Sequence, residues 1–400
     1  MNTKKLFFFA IAALGLAACS NDEVVEMNQG EAISFRPLTT NVTRSPNSTG
    51  VKQNFETGDV INVYANYFNG ESNVKYFQDD FTKQDGSTFT SSPAKYYWPA
   101  GISSTNKMTF TAIWGATQLA NNPGKIGTAD AKVTIEGNKD ILVARHVSNT
   151  AEATPILNFR HALSQVVLKV KNTNTGLKIT ITDFQVGYVD KTSYFDFDKS
   201  SASAATDQQE LEADASAGNV TSSPAAVTLI PATNWTNDAA AAPTSNYSQN
   251  LASSVVFTAT NGGTADDEVV TLGSPWILLP QNRTAISAGY VTTQSGTVNA
   301  STVPDINKPY LAVKMTIESY NGAAVTGTLV SQRWCCWPVS IDWSPGYKYT
   351  YTINVGDGGY EPIDTDNDGA LDPTLGTEIV FSPSCTIDYW VVAAGTDVTM

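Results

Sequence analysis

Charge, histidine and long apolar segments are all scarce in this chain of 400 residues. Only 16% of the residues are charged, and the net charge of -14 excludes the basic surface that a nucleic-acid partner requires. There are two histidines and no Gly-x-Ser-x-Gly nucleophile elbow, so no catalytic constellation can be named. No apolar run reaches the roughly 20 residues of a membrane-spanning helix. We therefore expect neither an enzyme nor a transmembrane anchor.

The composition that remains favours strands. Hydrophobic residues make up 42% of the chain, alternating segments are bounded by Gly, Asn, Pro and Ser, and no long helical period appears. We predict an all-β protein built of sandwiches. Alternation begins at Ile33-Ser34-Phe35, and the clearest later strands are 60–65, 108–114, 166–171, 178–184, 226–230, 311–317, 347–355 and 386–392.

The first residues resemble a bacterial lipoprotein leader. Lys4 and Lys5 precede a short apolar run, which ends in Leu16-Ala17-Ala18-Cys19. This pattern predicts a signal peptide over 1–18, with the thiol of Cys19 carrying a diacylglyceryl group that anchors the chain to the outer membrane. An acidic tether follows over 19–31. Its residues 20–23 resemble a surface-export signal of Bacteroidetes lipoproteins, although a solvated linker on the periplasmic face has the same composition.

Three further cysteines, Cys335, Cys336 and Cys385, are an odd number for an exported chain. Adjacent cysteines rarely bridge each other, which favours a disulfide between Cys385 and one of the pair. A fully reduced set is the alternative.

Several motifs occur together in an order that resembles the fimbrillin family, the lipoprotein subunits of Bacteroidetes fimbriae. The family implies two tandem transthyretin-like β-sandwich domains and polymerisation with other fimbrial subunits through a donated strand. It also implies maturation by an arginine-directed protease, for which Arg44 stands at the matching position, and strand donation by the C-terminal residues 384–400. The motifs are FETGDVINV at 55–63, YWP at 97–99, DILVA at 140–144, LNFRHALS at 157–164, LLPQ at 278–281 and WSPGYKYTY at 343–351.

The first strands are complete near residues 182–194, where a second set begins. We therefore expect an N-terminal sandwich over 32–185 and a C-terminal sandwich over 186–400. Polar, low-complexity stretches at 200–219 and 234–250 are expected to be long loops.

An acidic motif near the C-terminus, residues 364–372, has the spacing of a calcium loop. Asp364, Asp366 and Asp368 alternate, Gly369 permits a sharp turn, and Asp372 closes the set. Position twelve of an EF-hand would be Leu375 rather than Glu, which excludes that form. A shorter extracellular calcium loop and a solvated acidic loop remain as alternatives.

His161 is predicted to be structural, because no nucleophile accompanies it in the sequence. The tryptophans raise one alternative function, a carbohydrate-binding surface lipoprotein that does not polymerise. That alternative requires aromatic residues exposed on one face, whereas a core role would bury them. The residues concerned are Trp276, Trp334, Trp337, Trp343 and Trp390.

Overall fold

The structure, a computed structural model, describes residues 27–38, 54–117, 125–128, 130–151, 154–197, 234–236, 245–258, 269–284, 308–361 and 384–389. Within these ranges nearly all of the regular secondary structure is β-strand, which confirms the predicted all-β class. The one helical element with named bounds is a single 3-10 turn, Val355–Asp357.

The N-terminal part is one eight-stranded sheet, here called the ring sheet. Its order is β11-β2-β5-β4-β3-β7-β10-β12. The two end strands are consecutive in the chain and separated only by Phe159, so the sheet closes on itself through that residue. Its strands are β2 (Ser34–Leu38), β3 (Val60–Phe68), β4 (Asn73–Lys83), β5 (Phe89–Thr90), β7 (Lys107–Trp114), β10 (Leu142–Ser148), β11 (Ile156–Asn158) and β12 (Arg160–His161).

Alternating side chains explain this closure. In β3, Ile61, Val63 and Ala65 are fully buried, and strands β4 and β7 send aromatic residues to the same interior. The strand starts after a turn at Gly58, whose φ of 92° is one that glycine adopts readily. The ring sheet therefore encloses its own core, in which aromatic rings predominate. A separate two-stranded sheet pairs β1 (Met27–Ala32) with β6 (Tyr97–Pro99).

The C-terminal part is a sandwich of two sheets. One has the order β18-β13-β24-β25, with β19 also on β13, and the other has the order β17-β14-β21-β22. The apolar faces of both sheets contribute to one core. The strands are β13 (Ser164–Lys171), β14 (Leu177–Val189), β17 (Ser245–Phe257), β18 (Val270–Thr271), β19 (Trp276–Leu278), β21 (Tyr310–Tyr320), β22 (Val325–Pro338), β24 (Tyr347–Asn354) and β25 (Ser384–Tyr389). Strands β20 (Gln281–Arg283) and β23 (Ile341–Trp343) form a further pair.

A third group of strands lies where the ring sheet meets the sandwich. Strands β8 and β9 precede β10 in the chain yet pair with β15, so the chain crosses between the two parts more than once. The strands are β8 (Lys125–Ile126), β9 (Val133–Thr134), β15 (Thr192–Asp196) and β16 (Trp235–Thr236). These strands contribute to a buried apolar cluster, here called the junction core, that also includes side chains of β7, β10 and β19. The junction core consists of Ile113, Ile126, Ile135, Ile141, Val143, Ala162, Leu163, Phe195, Phe197, Trp235, Ile277 and Leu279.

Two expected boundaries differ from these pairings. Strand β1 lies within the stretch expected to be an acidic tether, because its backbone pairs with β6. A division between 185 and 186 would cut β14 in two, whereas β13 and β14 pair only with strands later in the chain. The change from the ring sheet to the sandwich lies at Ala162 and Leu163. The predicted strand at 226–230 lies outside the described residues.

Candidate functional site

Strand β2 closes the ring sheet between two strands that are distant from it in the chain. It runs parallel to β11, with Arg36 opposite Ile156, and antiparallel to β5, with Ser34 opposite Thr90. The amide of Arg36 also donates to the carbonyl of Pro155 at 3.0 Å. Both edges of β2 are therefore paired, and its removal would leave unpaired backbone groups on both neighbours.

The side chains of this segment are part of the ring core. Phe35 is 0% exposed and Ile33 is 2% exposed. The Phe35 ring makes edge-to-face contacts with Phe81 and Phe110, each at a centroid distance of 5.0 Å. Burial of this kind means that the segment preceding residue 39 fills an apolar slot in the ring sheet.

Strand β25 is the opposite case, an edge strand of the described sheet. Among the described strands it pairs only with β24, with Tyr389 opposite Tyr347 and Ser384 opposite Thr352. Cys385 and Thr386 are exposed, and Ile387 is 61% exposed. At these three residues the strand is therefore held mainly by its backbone hydrogen bonds.

The exposure of Ile387 has a structural cause. Ile387 lies opposite Tyr349, so both residues belong to the face of the sheet that looks into the sandwich. Tyr349 is buried and accepts a hydrogen bond from the Ser344 amide at 2.8 Å, while the neighbouring Tyr351 hydroxyl accepts one from Trp343 Nε1 at 3.0 Å. The tyrosines thus complete the core at β24, and β25 extends beyond it.

The structure has no disulfide among Cys335, Cys336 and Cys385, so the favoured bridge is wrong and the reduced alternative holds. The pair lies on β22, where Cys335 enters the sandwich core and Cys336 packs on the other face with Tyr360. Cys385 lies in the opposite sheet. Burial raises the pKa of the Cys336 thiol, which makes it a weak nucleophile.

His161 lies in a closed environment. Its Nδ1 atom is 2.7 Å from Oδ2 of Asp140, and the two residues are 5% and 1% exposed. No substrate reaches a pair so enclosed, which agrees with the structural role expected for His161. The partner could not be found from the sequence, because Asp140 precedes it by 21 residues.

The tryptophans that suggested a sugar site are core residues. Trp276, Trp337 and Trp343 are buried, Trp334 is half-buried, and Trp390 lies outside the residues whose surroundings are described. Every Phe, Tyr and Trp with a described exposure is buried or half-buried. No aromatic platform is therefore present on the described surface.

The remaining predicted sites lie outside the described residues: Cys19, Arg44, and the four aspartates Asp364, Asp366, Asp368 and Asp372. Among the described residues, no group of three or more His, Cys, Asp or Glu side chains is arranged to hold a metal ion. In the same ranges, no helix has the length and apolar character needed to cross a membrane.

Two solved structures are among those to which this chain is similar. A fimbrial protein from Bacteroides vulgatus is 13% identical, with a TM-score of 0.44 over 83% of this chain and 93% of its own. A candidate cell adhesion protein from Bacteroides ovatus is also 13% identical, with a TM-score of 0.41 over 90% of this chain and 98% of its own. A search of curated protein sequences found no match.

The family comparison is more extensive. The fimbrillin-like family profile matches residues 43–390, which include nearly all the strands described above. The match begins after β2 and ends just beyond β25. This chain therefore belongs to the fimbrillin-like family.

Proposed function

We propose that this chain is a structural or adhesive subunit of a fimbrium, that it has no enzymatic activity, and that it polymerises by donor-strand exchange. The observation that carries the proposal is the contrast between β2, which is interior and close before Arg44, and β25, which is an edge strand close to the C-terminus. Family membership supports the fimbrial role and a location at the cell surface.

Export and anchoring come first in the proposal. The leader over 1–18 directs the chain across the inner membrane, and lipidated Cys19 holds it to the outer membrane. Cys19→Ala should abolish acylation, because no neighbouring residue can form the thioether. Metabolic labelling with a fatty-acid analogue that still marks the variant would contradict this step.

Maturation is the second step. Cleavage after Arg44 separates β1 and β2 from the rest of the chain, since both lie before it. Departure of β2 would leave β5 and β11 with unpaired backbone groups, and would empty the space now filled by Ile33 and Phe35. An incoming strand would pair these backbone groups and fill the empty space, which is the physical basis of strand addition.

Donation by β25 of another copy is the third step. The described side chains of this strand need few contacts to be broken to detach it, because Cys385, Thr386 and Ile387 are exposed. The sugar-binding alternative has no comparable support, since the described aromatic residues are buried or half-buried.

The test follows particle size by light scattering after purified protein has been cleaved to completion at Arg44 with an arginine-specific protease, under conditions where the fold survives. We expect monomers before cleavage and elongated polymers after it. An Arg44→Gln variant is the matched control and should stay monomeric under the same treatment. Cleaved parent protein that remains folded and monomeric would overturn the polymer proposal.

Calcium binding at 364–372 is a separate proposal that rests on the aspartate spacing alone. Replacing Asp364, Asp366 and Asp368 with Asn should remove a calcium-dependent rise in melting temperature, because a ligand stabilises only the state that it binds. A parent protein whose melting temperature is the same with and without millimolar calcium would reject the site.

A further inference from the structure

The slot that β2 fills has a specific chemistry at the position of Phe35. Its walls include the rings of Phe81 and Phe110, both of them fully buried, and each meets Phe35 in an edge-to-face arrangement. Phe77 and Tyr96 stack beside them at a centroid distance of 4.1 Å. We call this space the Phe35 pocket. Such a pocket selects for an aromatic side chain by both shape and ring electrostatics.

The C-terminal segment repeats the pattern of the strand that fills this pocket. Ile33-Ser34-Phe35 and Ile387-Asp388-Tyr389 share the order β-branched, polar, aromatic. We propose that Tyr389 of a second copy enters the Phe35 pocket, with Ile387 taking the place of Ile33. This assignment rests on the proposed strand exchange and defines its register and direction.

Residues 384–400 contain one other aromatic residue, Trp390, and the strand pattern excludes it from the pocket. Side chains alternate between the two faces of a strand, so an inward Trp390 would also turn Asp388 inward. Asp388 would then occupy the position of Ile33, which is 2% exposed. Burying an unpaired carboxylate there is strongly unfavourable, whereas the register with Tyr389 inward leaves Asp388 on the outer face.

Burial supplies the driving force for this transfer. Ile387 is 61% exposed on β25, and it would move to a site where isoleucine is almost fully buried. Asp388, the polar residue of the pattern, would take the position of Ser34, which is only half-buried on β2. Strand exchange therefore gains apolar burial without burying a new charge.

The direction of the donor follows from the same alignment. If Ile387 replaces Ile33 and Tyr389 replaces Phe35, residue 390 occupies the position of Arg36. Arg36 lies opposite Ile156 of β11, so residue 390 of the donor would lie opposite Ile156 of the acceptor. In the reversed direction, with Ile387 in the place of Phe35 and Tyr389 in the place of Ile33, residue 386 would lie there instead. Which donor residue, 390 or 386, lies opposite Ile156 of the acceptor therefore distinguishes the two directions.

The first test compares assembly rates of purified protein cleaved after Arg44. Tyr389→Ala should slow polymer growth by at least roughly tenfold, since anchors of this kind dominate interfaces. Tyr389→Phe should stay within about twofold of the parent, because the pocket is apolar. Trp390→Ala is the control and should also assemble. Normal assembly of Tyr389→Ala would overturn the assignment while leaving strand exchange intact, whereas a parent that fails to assemble would count against the proposed function itself.

The second test traps the register. One copy carries Ile156→Cys and the other carries Trp390→Cys, both in a Cys385→Ser background, and the cleaved proteins are mixed under mild oxidation. A covalent dimer is expected, because neighbouring strands of a sheet lie about 4.7–4.9 Å apart, which brings directly opposed side chains within reach of a disulfide. Thr386→Cys in place of Trp390→Cys is the control and should not crosslink. A crosslink from position 386 alone would establish the reversed direction and overturn the proposal.

Discussion

Two short strands at opposite ends of the described chain, β2 and β25, are held in contrasting ways. Strand β2 has a neighbour on each side and buries Phe35 completely, whereas β25 has one neighbour and leaves Ile387 largely exposed. Backbone pairing alone gives only a modest net stabilisation, while buried aromatic residues add several kcal/mol each. The difference teaches that pairing in a sheet does not by itself fix a strand in place.

Truncation of the Phe35 side chain should have the largest effect. Phe35→Ala is expected to lower the free energy of unfolding by about 3–5 kcal/mol, because it leaves a cavity among packed rings. Chemical denaturation of the uncleaved protein measures this. Arg36→Ala, on the exposed side of the same strand, should change it by no more than about 0.5 kcal/mol. A loss of less than about 1 kcal/mol for Phe35→Ala would remove the contrast with β25.

The junction core tests whether the two regions are stabilised independently. Leu279→Ala should cost about 2–5 kcal/mol and weaken hydrogen-exchange protection in both the ring sheet and the sandwich, because Leu279 packs where they meet. Leu272→Ala is the matched control, since Leu272 belongs to the sandwich core. Protection lost from the sandwich alone in both variants would show that the regions are uncoupled.

Truncation on β25 should have a small effect. Ile387→Ala is expected to lower the free energy of unfolding by less than about 1 kcal/mol, because most of the side chain is already in water. Ile353→Ala on the adjacent β24 should cost about 2–5 kcal/mol, since Ile353 is buried. Equal losses from the two variants, measured by chemical denaturation, would mean that β25 is as firmly packed as its neighbour.

The smallest effect is expected at alkaline pH, in the ring sheet. Burial, with the hydrogen bond to Asp79 second, raises the pKa of Tyr96 to about 12. The folded protein therefore holds the Tyr96 proton more tightly than the unfolded chain does. The protonated tyrosine contributes its stability in full below pH 10, and that contribution is lost as the pH rises from 10 towards 12. The melting temperature should therefore fall over that range, and by less in Tyr96→Phe. An identical fall in the variant would assign the effect to other groups.

Local structure was largely predictable from the sequence. The predicted strands 60–65, 108–114 and 347–355 lie within or nearly coincide with β3, β7 and β24, because alternating apolar residues fix which face of a strand is buried. The buried Ile33 and Phe35 also carry this signal. Alternation identifies strands in this way but says nothing about their partners.

Partner choice was the part that the sequence could not supply. Strand β13 pairs with β24 rather than with the ring sheet, so the expected division at 185 and 186 does not match the sheets. The expected disulfide was wrong as well, since Cys335 and Cys336 are buried on opposite faces of β22 whereas Cys385 is exposed on β25. The exposure of Ile387 could not be predicted either, because it depends on the packed core of the sandwich ending at β24, one strand before β25.

The parallel pairing of β13 with β24 has a consequence for the order of folding. Val166 lies opposite Tyr349, so a central pair of the sandwich joins segments separated by most of the C-terminal sequence. Closing so long a loop costs entropy before any contact compensates for it, and folds rich in such contacts form slowly. The sandwich therefore stays incomplete until β24 is available, whereas the ring sheet can close once β12 is available.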